Sequence, residues 1–238
     1  MDSIYFTIVT ISTVGYGDIH PLTVIGKIFA IVLLITGVGT FLGVIANATE
    51  MILHKREKKT RLEKINMVVG TFFSEVGTPL ISNFSKYDLQ LAAVQKDLIM
   101  SNDWSEHDFL TVYKKLERYD YSINVKHIEL ESLRSFLLGK RDFLLRLLEN
   151  PTILEHESFT DLLRAVFHLT EELSYRYDLK DLPDTDKAHL GGDIKRAYKL
   201  LIQQWFKYMK YLKDNYPYLF SLALRINPFD KNASPVVK

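Results

Sequence analysis

Positions 13–18 read Thr-Val-Gly-Tyr-Gly-Asp. Glycine adopts left-handed backbone angles without a Cβ penalty, so Gly15 and Gly17 permit a stretch whose backbone alternates in hand. In such a stretch successive main-chain carbonyls turn to one side. A row of oxygens presented this way can replace the water shell of a metal cation.

No other stretch offers comparable chemistry. The chain has no cysteine, which excludes disulfides and thiolate metal sites. Asp184-Thr185-Asp186 with His189 falls short of the oxygen spacing of a calcium loop and reads as a solvated turn. His156-Glu157 lacks the rest of an H-E-x-x-H helix. His107, His127 and His168 stand alone in sequence and read as packing or surface residues. Gly37-x-Gly39 with Gly43 follows no strand, so it is not a dinucleotide loop. The expectation is therefore a protein without cofactor or enzymatic activity. The formal net charge of +1 in 238 residues gives no basis for nucleic-acid binding.

The elements around positions 13–18 are apolar. Residues 2–12 have the length of a short helix, with Asp2 and Ser3 suited to cap it. Residues 24–52 form a strongly apolar run. At 1.5 Å per residue it exceeds a hydrocarbon core of about 30 Å. Asp18 and His20 and the length of the second run argue against a secretory signal. Residues 54–64 then hold six Lys or Arg and two acidic residues, which places this end in the cytoplasm by the positive-inside rule.

The order of short helix, Thr-Val-Gly-Tyr-Gly-Asp and spanning helix resembles the pore domain of tetrameric potassium channels, most nearly the two-helix prokaryotic type. The resemblance implies a selectivity filter at Thr13, Val14, Gly15, Tyr16 and Gly17, with K⁺ as the permeant ion. Thr13 adds a hydroxyl as the innermost oxygen ring, while Val14 and Tyr16 point away from the axis and brace the loop. Relatives with aspartate in place of Tyr16 are non-selective, so Tyr16 implies K⁺ over Na⁺. Asp18 stands at the outer mouth, Tyr5 donates a hydrogen bond toward it, and Phe6 packs near Tyr16. Some members carry a glutamate where this chain has Val9. Gly37 falls at the family's gating hinge. Close packing is the competing role for Gly37, and the favoured one for Gly39 and Gly43. Glu50 either rings the inner mouth or caps the helix end. A homotetramer in a lipid bilayer is implied. The family also places an outer helix before the pore helix, and Met1 falls immediately before the latter. The chain is thus expected to be N-terminally truncated and, as written, not to conduct. The alternative is a membrane-tethered helical interaction protein with a non-conducting pore remnant.

The fold expected is all-α, with a pore segment over 1–53 and a cytoplasmic helical domain over 54–238. In the latter, Gly77-Thr78-Pro79 is expected to break the helical run. Helices are expected over 85–100, 105–119 (capped by Ser105 and Asp108), 124–149, 158–177 and 193–215. A loop is expected at 182–184, a glycine interruption at Gly191-Gly192 and a loose tail from Asn227. Lys195, Arg196, Lys199, Lys207, Lys210 and Lys213 alternate with aromatics, read as a core helix with a solvated basic face.

Overall fold

The computed structural model describes residues 1–236. These are all-α as expected, with no strand and one isolated bridge, Asp88 to Ile123. The chain divides into two compact units, Met1–Arg61 and a second beginning at Leu62.

In the first unit, α1 covers Asp2–Ile11, so its cap falls on Met1, one residue before Asp2, with no side-chain cap bond. After residues 12–23 comes α2, Val24–Phe72, entered through Thr23 Oγ1, which accepts from Gly26 N–H at 3.1 Å. Its N-terminal part makes it the one helix among the described residues that is long and apolar enough to cross a bilayer. The helix does not stop near 52 but continues through the basic stretch. Lys, Arg, Glu and Leu there all favour helix. Glu50 and His54, one turn apart, pair at 3.3 Å.

In the second unit, α2 gives way to a π-helical turn, Phe73–Gly77, and then α3, Thr78–Phe84. The expected break at Gly77-Thr78-Pro79 is not a break. Pro79 cannot donate to the carbonyl four residues back, and the wider π turn takes up that missing bond. The helix expected over 85–100 is instead two 3-10 turns, Ser85–Tyr87 and Leu91–Ala93, and the single turn α4, Gln95–Leu98. Asp88 accepts from Gln90 N–H at 3.0 Å, a local bond that competes with helix.

Helix α5, Glu106–Arg118, has the anticipated capping box. Asp108 N–H donates to Ser105 Oγ, and Ser105 N–H donates to Asp108 Oδ2. The single helix expected over 124–149 is split into a 3-10 turn, Val125–His127, then α6, Leu130–Gly139, and α7, Arg141–Leu148. The bend at Gly139-Lys140 lets both α6 and α7 pack on α9. Asn150 caps the short α8, Pro151–Leu154, by accepting from Thr152 N–H.

Two long helices carry the core: α9, Glu157–Ser174, and α10, Asp184–Asn215. Phe159, Leu162, Leu163, Val166, Leu169 and Leu173 form the buried stripe of α9, at helical spacing. Leu190, Ile194, Tyr198, Leu201, Trp205 and Met209 do the same on α10. Tyr198, Trp205 and Phe206 are buried while Lys195 pairs with Asp120 at 2.7 Å, so α10 is a core helix with a basic outer face.

α10 begins at Asp184 and passes straight through Gly191-Gly192, against the expected interruption. A Cβ at Gly191 would lie 3.0 Å from Val125 Cγ2. The glycine therefore serves a close approach rather than a turn. Last is α11, Pro217–Arg225. The tail is not loose at its start: Asn227 Nδ2 donates to Leu98 O at 2.8 Å, and Phe229 is buried against Trp205.

Gly70 illustrates how tightly α2 meets α10. A Cβ there would run into Tyr208 Oη, and Tyr208 is itself stacked on Phe73. Gly70→Ala is expected to destabilise the second unit by about 1–3 kcal/mol through overpacking. Thermal melts followed by circular dichroism check this, and Gly192→Ala, with nothing within 4 Å, serves as the tolerated control.

Candidate functional site

The turn after α1 is built by its own backbone. Val14 N–H and Gly15 N–H both donate to Val9 O, at 3.1 and 3.3 Å. Thr13, Gly15 and Gly17 have φ of 63°, 57° and 75°. They are the described residues with positive φ, and they occur at every second position. For β-branched Thr13 this conformation costs on the order of 1–2 kcal/mol. Such strain persists only where surroundings enforce it, and it marks functional segments. Among the described residues, no hydrogen-bond donor reaches the main-chain oxygens of Thr13, Val14, Gly15, Tyr16 or Gly17.

Tyr5 Oη donates to Asp18 Oδ2 at 2.8 Å and ties α1 to the far end of the loop. Phe6 lines a cavity of about 330 Å³ with Tyr5, Val9, Thr13, Gly15 and Leu34. Tyr16 does not line it and is 71% exposed in the single chain. Gly37 lies inside α2. A Cβ there would meet Ile11 Cγ1 and Cγ2 at 3.1 Å, whereas Gly39 and Gly43 have nothing within 4 Å. Glu50 is exposed and paired with His54.

In the second unit the fold assembles groups that stand apart in sequence. His168 and Glu172 lie one turn apart on α9, His189 and Asp193 one turn apart on α10. His168 Nε2 is 3.7 Å from Glu172 Oε1 and 3.6 Å from Asp193 Oδ2. His189 Nε2 is 3.6 Å from Glu172 Oε2 and 3.5 Å from Asp193 Oδ2. His168 is thus not an isolated surface residue, and His189 does not sit in a solvated turn. The signal in sequence was the repeated i, i+4 pairing of a histidine with a carboxylate.

Beside this cluster Arg176 grips two acids. Its Nε and Nη2 donate to the two oxygens of Asp186 at 2.7 and 2.6 Å, and Nη1 donates to Glu172 Oε2 at 2.7 Å. These bonds hold both carboxyls below the usual carboxylate range. Asp186, read from sequence as part of a solvated turn, is therefore a helix-end anchor.

Residues 61–225 match the family described as "Uncharacterized protein MJ1433, C-terminal helical domain". The chain belongs to this family. Its MJ1433 relative from Methanocaldococcus jannaschii is 50% identical over 184 residues, covering 77% of this chain and 74% of the relative. Ahead of the MJ1433 domain, residues 1–54 match the family described as "Ion channel". Two-pore potassium channel 4 of Arabidopsis thaliana is 46% identical over 66 residues, 28% of this chain and 23% of that one. Probable potassium channel protein 2 of M. jannaschii is 36% identical over 70 residues, 29% of this chain and 20% of that one. No solved structure matches. These kinships support a potassium-channel pore-type domain in front of the MJ1433 helical domain, and with it an ion-channel role and membrane association.

Arg176→Ala leaves Glu172 and Asp186 without their shared partner. With the Arg176 side chain 17% exposed, the expected cost is about 1–3 kcal/mol, between surface and buried pairs. Arg176→Lys should recover less than half, because one ammonium cannot reproduce the planar fork. Thermal melts of the three proteins check both statements.

Proposed function

We propose that the chain is the pore-forming subunit of a K⁺-selective channel that works as a homotetramer. Four copies of the loop would surround one axis, with the oxygens of Thr13 to Gly17 replacing the ion's water shell and adjacent ions displacing one another. The observation that carries this reading is the left-handed backbone at positions 13, 15 and 17 together with main-chain oxygens that accept from no donor among the described residues. Val14 and Tyr16 brace the loop from behind. The exposure of Tyr16 in one chain is what a residue awaiting a neighbouring copy would show. Asp18, fixed by Tyr5, supplies negative charge at the outer mouth. Phe6 packs behind the loop.

The pore segment spans 1–53 and the helical domain 54–238, with the basic stretch after α2's apolar part keeping the latter in the cytoplasm. Glu50 lies at the inner mouth. The kinship with channels supports passive transport rather than catalysis, and conduction in this reading needs no cofactor beyond the permeant ion.

The chain, alone and joined to a preceding outer helix, is reconstituted in liposomes and its K⁺ flux measured. The expected current reverses near the K⁺ equilibrium potential and comes from a species of four subunits in native mass spectrometry. Equal Na⁺ and K⁺ permeability would remove the role given to Tyr16. No flux from either form would leave a membrane-tethered interaction protein.

Gly37 is the gating hinge in this reading, since glycine weakens a helix by roughly 1 kcal/mol relative to alanine. Gly37→Ala should lower open probability, and shortening Ile11 to Ala, which removes both of its γ carbons, should not restore it. Full recovery in Gly37→Ala/Ile11→Ala would make Gly37 a packing residue, because the added methyl meets only Ile11 within 3.4 Å.

A further inference from the structure

We infer that His168, Glu172, His189 and Asp193 form a binding site for one divalent transition-metal ion of the zinc kind. The site lies within the helical unit and stands whether or not the chain conducts.

The separations argue for a shared ion. The four imidazole–carboxylate distances fall between 3.5 and 3.7 Å. An N–H···O bond spans about 2.7–3.2 Å, so these groups are too far apart to be bonded to each other. Two ligands each about 2.0–2.1 Å from one tetrahedral ion lie about 3.4 Å apart. One ligand atom each from His168, Glu172 and Asp193 already lies within 4.8 Å of the others. His189 Nε2 stands 3.5 Å from the same Asp193 Oδ2, and 3.6 Å from Glu172 Oε2.

Asp193 supplies an independent observation. Its residue is 4% exposed, and its Oδ2 is buried with no hydrogen-bond partner among the described residues. A buried carboxylate oxygen without a partner is costly. This one faces Nε2 of both histidines. The opposite oxygen, Oδ1, has the Arg196 guanidinium 3.4 Å away, and Glu172 Oε2 is held by Arg176. Asp193 is thus fixed from behind, as metal-binding carboxylates commonly are, while the Arg176 bond to Oε2 orients Glu172 with Oε1 toward His168.

The donor set selects the ion. Two imidazoles with two carboxylates suit zinc and neighbouring transition metals, whereas calcium and magnesium prefer all-oxygen cages. The histidine side chains are 46% and 55% exposed, which leaves a path in from solvent above the buried Asp193. Bound there, an ion would clamp α9 to α10, the two helices that carry the core.

The test uses the full chain in detergent, stripped with a chelator and titrated with Co²⁺ and then Zn²⁺. The expected result is one Co²⁺ per chain with the intense visible bands of tetrahedral coordination, displaced by Zn²⁺. Asp193→Asn and His189→Gln should each weaken binding roughly 100-fold. Zn²⁺ should raise the melting temperature of the parent protein and leave that of His168→Ala/His189→Ala unchanged. The exposed position of both histidines keeps these variants foldable, and His189→Gln alone gives the same readout if the double variant melts early. Absence of stoichiometric Co²⁺ binding would overturn the site and leave imidazolium–carboxylate ion pairs. Binding undiminished in the variants would overturn it equally, by moving the metal to other histidines.

Discussion

Main-chain oxygens without donors are the constraint on which the first unit turns. A peptide carbonyl has to be satisfied by an amide, by water or by an ion. At positions 13–17 no donor among the described residues reaches them, along a backbone whose φ is positive at every second residue. Helix α1 contributes by ending where Val9 O takes two loop amides, so the loop's donors are used inward while its acceptors remain open. The Tyr5–Asp18 bond closes the other end. Strain at Thr13 is stored in a loop held at both sides, which is the condition under which an unfavourable backbone angle persists.

The second unit obeys a different rule. Its core is the seam between α9 and α10, and everything else is laid over it. The bend at Gly139-Lys140 and the π turn before Pro79 are local departures from ideal helix. Each brings an apolar stripe onto the seam: Leu137 and Leu144 for the first, Val76, Leu80 and Ile81 for the second. Burial of these side chains outweighs the local cost, since a fully buried Leu or Ile contributes about 1.5–3 kcal/mol. Polar groups near the seam are managed in clusters. Arg176 bridges Glu172 and Asp186, and Asp193 is left facing two imidazoles.

Local signals carried much of the chain. Ser105 with Asp108 announced a helix start, because a capping box is satisfied by residues three apart. The helix over 158–177 was equally plain, since a buried stripe needs only helical period. Gly77 and Gly191 misled for a shared reason. Weak helix formers signal a break only when nothing packs against them, and here Phe72, Phe73 and Val125 do. The reading of Glu50 as a helix-end cap fails for the opposite reason: α2 continues to Phe72 through the basic stretch, because a change from apolar to charged residues does not end a run of helix formers.

By itself the sequence determined what depends on neighbours in the chain: the all-helical class, the single apolar span, the oxygen-rich loop at 13–18 and the cap at Ser105. Only the tertiary structure decided what depends on residues far apart. That Gly37 faces Ile11, that Gly70 makes room for Tyr208, and that His168 and Glu172 meet His189 and Asp193 follow from how helices pack. Periodicity says which face of a helix is apolar. It does not say which other face it will meet, because that choice is made by shape and burial summed over the whole core.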